Sequence, residues 1–176
     1  SDATRIVFRN PLNPMTHTVL GRNIAAGAEL FERLTRRYGK PTFDLDRTSV
    51  NGREVAVREE VVWQRPFCNV IRFARDLPAN APRQPKLLIV APMSGHYATL
   101  LRGTVEALLP EHDVHITDWV DAREVPLSQG NFDLDDYIDY VIDFCRYLGP
   151  DVHVIAVCQP SVPVLGAASL MAQSRD

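Results

Sequence analysis

Two unbroken apolar runs, "KLLIVAP" at residues 86–92 and "VHVIAV" at 152–157, constrain the fold of this chain more than any other feature. A strand with one wet face alternates apolar and polar side chains, whereas a strand covered on both faces reads as a continuous apolar run between turn residues. The stretch "DVHITDW" at 113–119 reads as a further strand between them, and helical spacing fills the gaps. One helix is expected over 98–109, "ATLLRGTVEALL", and another over 132–149, "FDLDDYIDYVIDFCRYLG". In the second, Asp133 suits the N-cap, and Leu134, Tyr137, Ile138, Val141, Cys145 and Leu148 form the buried stripe. A further helix follows at 162–172, "VPVLGAASLMA". Such strand–helix alternation implies right-handed crossovers and a parallel sheet with helices on both faces.

The part before residue 86 reads differently. Residues 18–38 place Ile24, Ala28, Phe31, Leu34 and Tyr38 on one helical face, and Gly39 and Pro41 end the pattern. This predicts a leading amphipathic helix docked on an apolar surface. Residues 53–62 and 67–75 alternate apolar with polar and suit an antiparallel pair at the sheet edge. A proline-rich connection at 76–85 leads into the parallel region. The expected organisation is an N-terminal helical arm over 1–45 and an α/β domain over 46–176, with antiparallel edge strands followed by parallel ones.

Composition excludes several classes of function. A chain of 176 residues with net charge −3 carries no electrostatic footprint for nucleic acid, and its densest basic group (Arg33, Arg36, Arg37, Lys40) suits the solvated end of a helix. No apolar stretch approaches the roughly 20 residues that span a membrane, so a soluble protein is expected. The first residues lack a signal-peptide core and an initiator Met, which reads as an engineered or processed end. Cys68, Cys145 and Cys158 are scattered and odd in number, which points to free thiols in a reducing compartment and to no zinc site. His112, His115 and Asp118 flank one strand at spacings that aim them apart, and the acidic residues between 133 and 143 suit a solvated helix face; no metal is expected.

Cys158 is the residue that points to chemistry. In a parallel α/β sheet, active groups collect at the carboxyl ends of strands. Cys158 ends such a strand and precedes a helix, where a nucleophile elbow of pattern G-x-nucleophile-x-G would lie. Ala156 supplies one small residue. Pro160 departs from the pattern, although proline suits a first helical turn. A helix N-terminus behind the sulfur would favour the thiolate. The Gln159 backbone N–H suits one oxyanion donor, and Met93 or Ser94, in the loop "APMSGHYATL" (91–100), suits the other. His96 in that loop, and Ser161 after the cysteine, fall where substrate would be contacted. Against this stands the common case of a strand cysteine that is only a small buried hydrophobe. Cys68, Cys145 and His153 read as structural, His153 as a core histidine.

The stretches at 10–41, 87–140 and 152–172 together resemble the intracellular polyhydroxyalkanoate (polyhydroxybutyrate) depolymerases, relatives of the polyhydroxyalkanoate synthases with the α/β-hydrolase fold. Met-Ser-Gly-His-Tyr at 93–97 and Val-Cys-Gln-Pro-Ser-Val-Pro at 157–163 are the most specific parts. The resemblance implies that Cys158 is the nucleophile, that Pro160 is a family feature, and that the chain forms the N-terminal part of an α/β-hydrolase. It implies attack on the ester carbonyl of poly(3-hydroxybutyrate), a hydroxyacyl-thioester intermediate, and release by water without a cofactor. Coenzyme A in place of water would give an acyl-CoA. The implied setting is the cytoplasm, at the surface of a storage granule. A synthase-type acyltransferase using the same cysteine, or a silent granule-binding module, are the other readings.

In α/β-hydrolases the triad runs nucleophile, acid, histidine along the chain. After Cys158 the sequence holds no His and a single Asp, Asp176. The expectation is that the acid, the histidine and the rest of the sheet come from a C-terminal remainder of the same protein, or from a second chain.

Overall fold

The structure is a computed structural model that describes residues 14–35, 39–93 and 97–174, without the side chains of Met15 and Thr16. The chain divides into two compact units, residues 1–40 and 41–176. In the first unit a 3-10 turn over Pro14–His17 precedes helix α1, Val19–Thr35. The Thr18 hydroxyl accepts the Gly21 N–H at 3.0 Å, as a helix N-cap does. The stripe expected to be docked is exposed at Phe31 and Leu34. Tyr38 lies outside the described residues.

The second unit is a mixed α/β structure around one six-stranded sheet. Its strands are β1 (Arg47–Val50), β2 (Arg53–Gln64), β3 (Cys68–Arg75), β4 (Lys86–Val90), β5 (Asp113–Trp119) and β6 (Val152–Ala156). Their order across the sheet is β1-β2-β3-β5-β4-β6. β1, β2, β3 and β5 pair antiparallel in turn, and β4 pairs parallel with both β5 and β6. Antiparallel strands followed by a parallel region is the arrangement the hydrophobic patterning predicts. The pair β2–β3 is not the edge, however. β1 lies outside it, joined to β2 through Asn51 and Gly52 at φ 51° and 76°, the left-handed pair of a two-residue hairpin. β3, paired with β2 on one side and β5 on the other, is an interior strand, which suits the complete burial of Cys68.

Helices cover both faces. On one face, α2 (Arg102–Leu108) and the 3-10 turn before it set Leu101, Val105 and Leu109 against Ile89, Val114, Ile116 and Phe73. On the other, α3 (Leu134–Leu148) and α4 (Ser161–Ser174) pack Tyr140, Val141, Phe144 and Ala167 against Val70, Leu88 and Val90. Asp133 caps α3 as expected, in a capping box with Asp136 that contributes about 1 kcal/mol. The buried stripe of α3 is shifted from the expected one. Leu134 is exposed, while Tyr140 and Phe144 are buried, because Trp63 and Trp119 extend the aromatic packing toward them. Among the described residues no helix is long and apolar enough to cross a membrane.

Candidate functional site

The carboxyl ends of β4 and β6 are held by side chains from β5 and by each other. Beyond Val90 the chain leaves the ladder, yet Ala91 donates its N–H to the Thr117 hydroxyl and accepts from the Trp119 indole, each at 2.9 Å. The Val157 N–H reaches back to the Val90 carbonyl at 3.4 Å. These contacts fix residues 91–93 beside the end of β6.

At that point the backbone turns sharply. Cys158 has φ 66°, a left-handed conformation that costs a non-glycine residue about 1–2 kcal/mol. The turn lets a helix begin immediately: Ser161 and Val164 donate N–H groups to the carbonyls of Cys158 and Pro160 at 3.1 and 3.0 Å. Pro160 is buried and cannot donate, which suits its place ahead of α4. The thiol is exposed and, among the described residues, makes no hydrogen bond. Cys158 is thus not the buried packing residue that strand cysteines commonly are.

The close approach of α4 to the rest of the fold depends on small residues. A Cβ on Gly166 would meet Cδ1 of Ile138 on α3 at 2.9 Å. This glycine brings α4 down onto α3 about one and a half turns into the helix that follows the elbow.

Two of the expected oxyanion donors, Gln159 and Met93, lie among the described residues. Among the described residues the Gln159 backbone N–H has no acceptor, so it is available to a ligand. The Met93 N–H is already used: it donates to the side-chain oxygen of Gln159 at 3.1 Å. The Gln159 side chain therefore sits on the second donor, a contact that sequence reading missed. A glutamine directly after the cysteine was its only signal. Ser94 and His96 lie outside the described residues. Ser161 is the first residue of α4 and half-buried.

The remaining titratable candidates separate cleanly. His153 was expected in the core but is exposed, because β6 is an edge strand. His115 is 3% exposed on β5, where its Nδ1 bonds to the Asp113 carbonyl at 3.0 Å, and burial lowers its pKa. Asp118 is buried on the opposite face of the same strand, so the two do not form one site. Burial pushes the Cys145 thiol up. Among the described residues no group of His, Cys, Asp and Glu side chains is placed to hold a metal. Comparison with protein-family models, curated proteins and solved structures gave no match to this chain.

Proposed function

We propose that this chain carries the nucleophilic half of a carboxylic ester hydrolase of the α/β-hydrolase fold, acting on poly(3-hydroxybutyrate) and related polyesters. The observation that carries this reading is the exposed Cys158 in a left-handed turn between a parallel strand and a helix. A strained, solvent-facing residue at that position is costly for packing alone and suits a nucleophile presented to substrate. The strand order β2-β3-β5-β4-β6, with β3 antiparallel to its neighbours, supports the hydrolase fold.

In this reaction the Cys158 sulfur forms a bond to the ester carbonyl carbon. The negative charge passes to the carbonyl oxygen, which the Gln159 and Met93 N–H groups receive once the Gln159 side chain moves aside. Collapse breaks the carbon–oxygen bond, the departing oxygen takes the proton that the thiol gave up, and the polymer leaves with a hydroxyl end while a thioester remains. Water then hydrolyses the thioester, releasing 3-hydroxybutyrate or a short oligomer and restoring the thiol. β6 is an edge strand with half-exposed Val152, Val154, Ile155 and Ala156. We assign its cover, together with the acid and the histidine, to further residues of the same protein or to a second chain. The polymer granule, in the cytoplasm, is the partner this reading names.

The test is 3-hydroxybutyrate release from amorphous polymer granules by the full gene product, comparing wild type with Cys158→Ala and Ser161→Ala. Activity lost in Cys158→Ala and kept in Ser161→Ala is the expected result. Activity that survives Cys158→Ala, or is absent in the wild type, refutes the reading. Granule binding without turnover would identify a silent binding module instead, and polymer growth from acyl-CoA would identify an acyltransferase.

A further inference from the structure

At the opposite end of the parallel strands from Cys158 lies an open cavity of about 530 Å³. It is lined where β4 and β5 begin, by Lys86, Asp113 and His115, by Arg72 and Arg75 of β3, and by Arg83 of the connection between β3 and β4. Four cationic side chains against one carboxylate leave an excess of three positive charges, in a chain whose net charge is −3. We propose that this cavity binds a phosphate group carried on a small molecule.

The internal contacts of these residues do not cancel the excess. Asp113 takes Nε and one terminal nitrogen of Arg72 at 2.9 and 3.2 Å, which neutralises one cation. Glu60 adds its field at Arg72 without lining the cavity. Arg75 is held by neutral acceptors, the Leu109 carbonyl at 2.6 Å and the Gln84 side chain, and its Nε is buried with no partner. Lys86 donates to the Leu148 carbonyl at the end of α3, which uses one of its three donors. Among the described residues Arg83 has no hydrogen-bond or ion-pair partner. Carbonyl acceptors orient a cation but leave its charge to be met by something else.

The remaining donors come from two arginine forks and an ammonium on different elements. That geometry suits the tetrahedral oxygens of a phosphate and a dianionic charge better than a planar carboxylate with a single charge. The volume falls within the range of small-molecule sites. Prolines at 78, 82 and 85 restrict the segment that carries Arg83, so less order is lost when an anion engages it.

The test is a titration of the full gene product with inorganic phosphate at constant ionic strength, followed through its backbone amide resonances. Saturable shifts confined to residues 72–86, 113–115 and 147–149 are expected. Arg83→Gln, which removes an exposed guanidinium, is expected to weaken binding about fivefold to tenfold. Arg53→Gln, which removes the same charge from β2, is expected to leave it unchanged. Shifts that do not saturate, that acetate reproduces at equal concentration, or that respond alike to both substitutions overturn the proposal.

Discussion

The side-chain oxygen of Gln159 accepts the backbone N–H of Met93 at 3.1 Å, joining the start of α4 to the loop after β4. The contact occupies the donor that the proposed reaction assigns to the developing oxyanion. A single exposed hydrogen bond is worth about 0.5–1.5 kcal/mol net, so an incoming carbonyl must displace a competitor of that strength. Gln159→Ala is therefore expected to lower KM by roughly twofold to tenfold, with kcat retained. A fall in kcat at unchanged KM would show instead that the glutamine holds the loop in its active position. Steady-state kinetics on a soluble hydroxybutyrate oligomer separates the two.

The three thiols differ in access. Cys158 is exposed, Cys145 is half-buried with its thiol pushed up by burial, and Cys68 is fully buried. Limited alkylation of the native protein is expected to modify Cys158 first, with Cys145 and Cys68 reacting only as the chain unfolds. Peptide mapping of the alkylated protein reads the order directly. Early labelling of Cys68 would refute the interior position of β3.

Gly166 faces a crowded surface, and two effects of substitution there oppose one another. Alanine gains about 1 kcal/mol in helix propensity, but its Cβ would lie 2.9 and 3.3 Å from Cδ1 and Cγ1 of Ile138. Two carbons at that range force a rotamer change, and overpacking of this kind costs about 1–3 kcal/mol. Gly166→Ala is expected to lower stability by roughly 1 kcal/mol. Combined with Ile138→Val, which removes Cδ1, the cost is expected to be less than the sum of the single changes. Urea denaturation of the four-member cycle measures the coupling.

His115 links stability to pH. Its folded pKa lies below the ordinary value of 6.5 because burial disfavours the imidazolium. Between the two values the unfolded chain holds more protons than the folded one, so acid favours unfolding. The contribution is fully present above the unfolded pKa and is lost as pH falls through it toward the folded pKa. In His115→Gln the decline in urea midpoint between about pH 7 and 5 is expected to be shallower than in the wild type. An identical slope would assign the acid sensitivity to other groups.

The sheet was legible wherever burial wrote itself as an unbroken or alternating pattern. β4 and β6 announced themselves as apolar runs, β5 as a strand between two helical patterns, and Asp133 marked the start of α3. β1 escaped because its four residues, Arg47–Val50, are too few for a pattern, although the Asn-Gly that follows is a hairpin signal in its own right. The exposure of His153 was not readable either, since an apolar strand gives no sign of which neighbour lies beside it. At the candidate site, the position of Cys158 was readable from strand–helix order, whereas the Gln159–Met93 contact joins residues 66 apart in sequence. Local spacing carries no information at that range.

The place of β4 in the sheet also sets an order of assembly. β1, β2 and β3 are joined by short turns and can pair as soon as they are made, at little cost in loop entropy. β4 gains its second neighbour only when β6 arrives, after β5, α2 and α3 have been traversed. Long-range parallel pairing of this kind is the slow part of folding. The turn that presents Cys158 comes into register with the loop after β4 only at that last pairing, so a partly folded chain holds its thiol away from the Met93 N–H until the sheet has closed.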